Sequence, residues 1–342
     1  MAQPPEPWPR QPPPPAGSPA PPGWPAPPGS WYGVPPGYGV PPAAPRFDPT
    51  DPLVSSDFAG WWRRGFAIVR SGWRPITRLQ LIINIPLLFL LAPAQTVANL
   101  SQADAMRSAE AGGAPSFAGL GAAFGVLAVT VVMVAVAQGF GTLATARLVV
   151  AVATGGHAGA RQTLRDVLPR VPALLGWYVV VGLISLGALL ACFLPVLYVA
   201  AVFVILPVVV LAERGDAVGR CFSLFHADLG VAVGRIATIF GLGLAGAAVL
   251  AGLDFGASVA VHGGLVPEPS ALSRDAVVAQ TVLTSVLDTA YYTLSGVVLT
   301  PLIVAAYADM RARREAFGTA DLVRDLGSRD GSAQPPESRP YT

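Results

Sequence analysis

Residues Val171 to Glu213 read V-P-A-L-L-G-W-Y-V-V-V-G-L-I-S-L-G-A-L-L-A-C-F-L-P-V-L-Y-V-A-A-V-F-V-I-L-P-V-V-V-L-A-E. Crossing a bilayer core takes about 20 consecutive apolar residues in a helix. The stretch holds two such runs, Val171 to Ala191 and Leu194 to Glu213, separated by only Cys192 and Phe193. Two spans joined so closely must form a tight antiparallel hairpin, with Pro195 opening the return helix. Working outward, four more runs of sufficient length appear at Ile76 to Leu100, Phe117 to Leu143, Val233 to Gly252 and Val286 to Tyr307. The expected fold is an all-α polytopic bundle of six spans. Pro86, Pro93, Pro207 and Pro301 fall inside spans, where neighbouring helices can satisfy the freed carbonyls, so they predict kinks and not breaks.

Composition agrees. The 342 residues are 53% hydrophobic and 12% charged, about half the charge of an ordinary soluble domain, with a mean hydropathy of +0.54. All the basic residues are Arg and none is Lys, which fits a GC-rich bacterial genome. A net charge of +2 is too small for a nucleic-acid partner, which calls for a clustered basic surface on a soluble fold. The two cysteines, Cys192 and Cys221, have neither disulfide-framework nor zinc-site spacing. No charged start followed by an apolar run precedes the first span, so that span is expected to direct insertion itself.

The arginines orient the bundle. Arg46, Arg63, Arg64, Arg70, Arg74 and Arg78 precede the first span. Arg147, Arg161, Arg165 and Arg170 occupy the second loop, and Arg214, Arg220 and Arg235 the fourth. Arg311, Arg313, Arg314, Arg324 and Arg329 follow the last span. The alternate loops hold only Arg107 and Arg274. By the positive-inside rule both termini lie in the cytoplasm of a bacterial inner-membrane protein.

Residues 1 to 52 carry near-repeats such as Pro21-Pro22-Gly23-Trp24 and Pro35-Pro36-Gly37-Tyr38 with almost no aliphatic side chains. Such a segment has nothing to bury and is expected to be a disordered mixture of polyproline II and turns. Two readings are open: a tail that merely extends into the cytoplasm, or a ligand for a protein partner that reads Pro and aromatics. Residues 53 to 312 make the membrane domain, and 313 to 342 are expected to be a polar, disordered tail.

Between Asp57 and Arg74 the helical wheel places Phe58, Trp61, Trp62, Gly65, Phe66, Ile68, Val69 and Trp73 in one arc, opposite Arg63, Arg70 and Arg74. That pattern predicts a helix lying in the membrane interface, with the aromatics in the acyl boundary and Arg at the headgroups; the alternative is an amphipathic helix packed on a protein core. Similar short segments, Arg161 to Leu168 and Ala217 to Leu229, precede the third and fifth spans. The chain therefore reads as three units of interfacial helix plus transmembrane hairpin. Small residues four apart, Gly121 and Gly125, and Gly241, Ala245, Gly252 and Gly256 in and around the fifth span, suit close helix packing within the chain or, alternatively, a homo-oligomer face.

From Leu206 to Ile239 the chain runs L-P-V-V-V-L-A-E-R-G-D-A-V-G-R-C-F-S-L-F-H-A-D-L-G-V-A-V-G-R-I-A-T-I. This resembles a motif of a bacterial family named for the membrane domain of glycerophosphoryl diester phosphodiesterases: a span ending in Glu, a Gly turn, an Ala-x-x-Arg helix and a further span. Glu213, Gly215, Ala217 and Arg220 occupy the motif positions, and the similarity covers about residues 57 to 310. Proline-rich tails look like those of free-standing actinobacterial members. The resemblance implies a membrane fold and no catalysis, because in the phosphodiesterases the chemistry belongs to a separate soluble barrel.

A search for chemistry points the same way. His157, His226 and His262 lie apart, without metal-ligand spacing, and neither a nucleophile elbow nor a phosphate-binding loop occurs. No cofactor is expected. The first expectation for function is a non-enzymatic membrane protein that organises protein partners or lipid; the second is a small-solute or lipid transporter; an intramembrane enzyme is the third. Thr281, Ser285, Asp288, Tyr292 and Ser295 form a polar stripe that makes Asp288 a transport candidate. If Tyr307 marks the inner interface, however, Asp288 lies roughly 28 Å away, at the outer boundary, as a structural or solvated carboxylate. Asn84 and Gln138 are expected inside the bundle.

The orientation can be tested by labelling. In a background without native cysteines, single cysteines at Ser108 and Ser270 should react with an impermeant thiol reagent in intact cells, and one at Ser328 should not. Labelling at Ser328 alone would invert the topology.

Overall fold

The computed structural model describes residues 47–112, 117–156, 158–191, 193–262 and 273–327. Most of the proline-rich segment, His157, Cys192 and residues 328–342 lie outside the described residues. The described chain is helical, with ten α-helices: α1 (Phe58–Glu110), α2 (Phe117–Ala153), α3 (Ala160–Val167), α4 (Val171–Ala191), α5 (Phe193–Phe203), α6 (Leu206–Ala212), α7 (Ala217–Phe225), α8 (Leu229–His262), α9 (Arg274–Arg314) and α10 (Thr319–Gly327). Six stretches are long and apolar enough to cross a membrane, the fourth built from α5 and α6 together. The protein is a multi-pass membrane protein.

Two helices organise the bundle. α1 has 53 residues and α9 has 41, about 80 and 60 Å at the helical rise, both longer than the bilayer core. They lie antiparallel and make the most extensive helix pairing of the fold, with α2 against α1 and α8 against α9. Close approach is built in: a Cβ on Gly65 would strike the Leu302 side chain, and one on Gly296 would strike the Gln80 amide. From the α1 side, Asp57 caps the first turn through a bond from Gly60 N (2.6 Å).

Burial divides the molecule lengthwise. Leu53, Trp61, Ile68, Ile76, Leu143, Leu148, Val208, Leu224 and Val304 belong to one buried apolar cluster at the end where α1 starts and α9 finishes. We call this end the base. Farther along, large apolar side chains such as Phe89, Phe124, Val131, Val179, Leu244, Phe255 and Leu294 are exposed, which in a spanning helix means contact with lipid.

The segment Asp57 to Arg74 departs from the in-plane expectation. It is the first part of α1, continuous with the first span through Pro75, Pro86 and Pro93, so it cannot lie across the direction of that span. Its apolar arc packs on protein: Trp61 is fully buried and donates from Nε1 to the Leu302 carbonyl (3.3 Å). Trp62 and Phe66 are half-buried against the same core, whereas Phe58 and Trp73 are half exposed. Arg63, Arg70 and Arg74 are exposed on the other face, with the Arg74 guanidinium 5.4 Å from the Trp73 ring. The second and third amphipathic segments do form separate short helices, α3 and α7, ahead of α4 and α8.

Three further expectations are corrected. Pro207 accompanies a break: Val204 and Ile205 separate α5 from α6, and the amides of Val208 and Val209 both turn to the Ile205 carbonyl (3.0 Å each). The chain after Arg314 is not all tail, because α10 buries Leu322 and Leu326 against the base, and Thr319 donates to Asp51 from its amide (2.8 Å) and hydroxyl (2.6 Å). Folded structure thus begins ahead of residue 53 and continues past 313. Finally, Cβ atoms on Gly121, Gly125, Gly241, Gly252 and Gly256 would meet nothing within 4 Å among the described residues, so close packing among those residues does not call for glycine at these positions.

If the arc is core, Trp61→Ala should destabilise the detergent-purified protein by about 3–5 kcal/mol, while Trp73→Ala costs under about 1 kcal/mol. Equal effects in a denaturation series would restore the interfacial reading.

Candidate functional site

The sequence motif at the α6–α7 turn assembles at the base. Gly215 takes φ +108°, a conformation that favours glycine. That turn sends the chain from α6 into α7, where Asp216 caps Gly219 N (2.9 Å) and Ala217 is buried. Glu213 accepts from Arg220 Nε (2.5 Å) and from the Tyr307 hydroxyl (2.6 Å). Arg220 also pairs with Glu315. Arg311, from α9, donates to Tyr307 Oη (3.1 Å), Glu315 (2.6 Å) and Asp325 (2.9 Å), and its guanidinium lies 4.1 Å from the Phe317 ring centroid. The four motif residues therefore latch the end of α9 and α10 onto the α6–α7 turn.

Electrostatics fit a structural latch. Burial alone would lower the Arg220 pKa, but the hydrogen bond and charge of Glu213, with those of Glu315, raise it. Burial likewise opposes ionisation of Glu315, and Arg311 and Arg220 outweigh it, so its carboxyl stays below the usual range. Burial, then the charges of Glu213 and Asp216, push the Cys221 thiol up to about 12, so it stays protonated near neutrality.

A second polar set lies between α1, α2 and α9, starting at the inner edge of the base, where Leu79, Leu143 and Ala144 belong to its cluster. Gln138 Nε2 donates to Asn84 Oδ1 (3.0 Å), Asn84 Nδ2 to Gln80 Oε1 (3.2 Å) and Thr293 Oγ1 (3.3 Å), and Gln80 Nε2 to Thr145 Oγ1 (2.9 Å). Asn84 and Gln138 are thus partners across helices, and Gln80, absent from the sequence reading, completes a buried amide plug. Beyond it the seam continues as Ser285 to Gln95 (3.2 Å) and Asn99 to Thr281 (2.9 Å).

Above this plug two cavities follow one another. One, of about 370 Å³, is lined by Asn84, Leu91, Gln95, Ser285, Asp288 and Tyr292, among others. The other, of about 480 Å³, carries Asn99, Ser101, Gln102 and Thr284 on its walls. Gln95, Thr130 and Asp288 line both. Asp288 is half-buried and makes no hydrogen bond or ion pair with the described residues. On α8 nearby, Asp254 is committed, accepting from Thr284 (2.5 Å) and Gln280 (3.1 Å).

The sequence estimate of the depth of Asp288 takes Tyr307 as its marker. Tyr307 is fully buried in the base and cannot mark an interface. Better markers are the charges at the two ends: exposed Arg78, two residues before Gln80 on α1, and at the far end half-buried Asp104 and Arg107 with exposed Arg274, which reaches Asp104 at 3.6 Å. Gly296 stands level with Gln80. Asp288 is about 12 Å along α9 from Gly296 and about 21 Å from Arg274, between the levels of these two sets of charges. The polar positions on α1 that meet it, Gln95, Asn99 and Gln102, were missed because each reads singly as a tolerated polar residue in an apolar run.

Glu213→Ala should destabilise the protein by about 2–3 kcal/mol, since Arg220 and Tyr307 lose their shared acceptor. Because the Glu315 pKa is depressed on folding, its stabilisation is full near neutrality and is lost as pH falls through about 4 and below. Thermal denaturation in detergent should show that acid loss, and Glu315→Gln should flatten it; an unchanged acid limb in the variant contradicts the latch. Comparison of the chain with protein-family models, with curated proteins and with solved structures gives no match.

Proposed function

We propose that this protein is a non-enzymatic carrier of the bacterial cytoplasmic membrane, which admits a small solute or the polar head of a lipid into the groove between α1, α2 and α9. On the arginine distribution, both ends of the chain lie in the cytoplasm and the groove faces the opposite side. One observation carries the reading: Asp288, a carboxylate without a partner among the described residues, stands where two consecutive cavities meet, between the levels of Arg78 and Arg274 on the paired helices. An ionisable group there is costly unless it serves a ligand, ion or water path. Aliphatic walls with a few convergent polar groups are the usual composition of a small-molecule site.

The groove's chemistry narrows the class. Asp288, the Asn84 and Gln95 amides and the hydroxyls of Ser285, Thr289 and Tyr292 are rich in acceptors, which suits a ligand with hydroxyl or ammonium donors. Below Asp288 the Gln80–Asn84–Gln138 plug closes the path toward the base, so the arrangement corresponds to one gate shut and the other open. A role as organiser of protein partners rests on the proline-rich segment, which lies outside the described residues; the resemblance to the phosphodiesterase membrane domain rests on its motif alone, and that motif serves here as a latch.

Native mass spectrometry of the full chain extracted from its own membranes tests the proposal. A bound species should accompany the protein and be lost in Asp288→Leu and in Ala135→Trp, which fills the groove from α2. Adducts of unchanged mass and occupancy in both variants would remove the groove from consideration.

A further inference from the structure

A third cavity lies at the base, where α4 enters the apolar layer, and is independent of the groove. Its volume is about 310 Å³, and its walls come from the start of α4, the end of α6 and the α6–α7 turn. Ala173, Trp177, Val209 and Val210 form an apolar side, and Arg170, Arg214 and Arg220 a cationic one. Arg170 and Trp177 are seven residues apart on one continuous helical run, so they share a face about 10 Å apart along it.

The charges of this cavity are unequal in their commitments. Its two acids are occupied: Glu213 holds Arg220 and Tyr307, and Asp216 caps α7. Arg220 is occupied in turn. Arg170 and Arg214 have no hydrogen bond or ion pair with the described residues, yet they come from different elements and lie near enough for their charges to repel. Arg170 is half-buried while unpaired. Two guanidiniums converging without an acceptor, one of them partly desolvated, are a site that an anion completes, since planar forks bind phosphate oxygens in pairs.

We propose that Arg170 and Arg214 hold the phosphate of an anionic phospholipid whose acyl chain runs past Ala173 and Trp177 along α4. The apolar side separates this ligand from a free anion: a soluble phosphate would leave Trp177, Val209 and Val210 unused. Basic pockets between spanning helices at an arginine-rich face are suited to anionic headgroups, and Trp177, about 10 Å farther along the helix, lies where the acyl chain passes.

Reconstitution of the full chain with brominated lipids tests this, because bromine quenches indole fluorescence at contact. The component of quenching that disappears in Trp177→Phe reports the site. Brominated phosphatidylglycerol should quench that component at far lower mole fraction than brominated phosphatidylcholine. Each arginine should contribute about fivefold to the preference, so the double variant Arg170→Gln, Arg214→Gln should lose about twenty-five-fold. The exposed pair Arg161→Gln, Arg165→Gln removes the same charge from α3 and should leave the preference in place; equal losses in the two doubles would assign it to general basic charge and overturn the site. Excess inorganic phosphate should not displace the phosphatidylglycerol component. Displacement would mean that a soluble anion is the ligand, and equal quenching by the two lipids would mean that no headgroup is selected. Either result overturns the proposal, and neither bears on the groove at Asp288.

Discussion

Everything in this molecule hangs on one seam, the antiparallel pairing of α1 with α9. From base to far end it runs through Ser55 to Asp309, Trp61 to Leu302, Gln80 against Gly296, Asn84 to Thr293, Gln95 to Ser285, Asn99 to Thr281 and Asp104 to Arg274. Within lipid, apolar contact gives helices no reason to prefer one another over acyl chains, so small residues and polar pairs decide register. Each pair contributes only about 1 kcal/mol. Their number along one interface, however, leaves little freedom to slide, because a shift of one residue turns the polar stripe by about 100° and breaks the pairs together.

At the base the same rule takes a costlier form. Arg235 of α8 and Asp309 of α9 are almost fully excluded from solvent and paired with each other, with the Trp61 ring 5.9 Å from the guanidinium. Arg235 Nε and Nη1 find no hydrogen-bond partner among the described residues. Removing one member of such a pair strands the other at a cost of about 3–5 kcal/mol, whereas an apolar replacement of both can be neutral. The pair is therefore weak as a source of stability and strong as a constraint on which helix ends meet. It holds α8 and α9 to the strap before α1, which α10 clasps through Asp51 and Thr319.

The six spans were legible because uninterrupted apolar runs have few other uses. The polar lining was less so. Gln80, Asn84, Gln95, Asn99 and Gln102 fall within an arc of about 100° on the helical wheel of α1, a stripe that could have been found. It faces the Thr281–Ser285–Asp288–Tyr292 stripe of α9, and only the pair of stripes, not either alone, encloses a cavity. The aromatic arc of residues 58 to 73 misled for a different reason: a face of Trp and Phe opposite Arg is the same pattern whether lipid or protein covers it. The buried Arg235 and Asp309 gave no signal, being 74 residues apart by their numbers and each unremarkable near the end of a span.

The central claim is that polar access from one side reaches Asp288 and stops at the amide plug. Single cysteines along the path, in a chain with Cys192 and Cys221 replaced by Ala, measure it through their rates of reaction with a small cationic methanethiosulfonate. Cysteines at Gln102, Asn99, Gln95 and Asp288 should all react, and those at Thr293 and Gln80 should be protected. Silence at Gln95 and Asp288, or reaction at Thr293 as fast as at Asp288, would contradict the account.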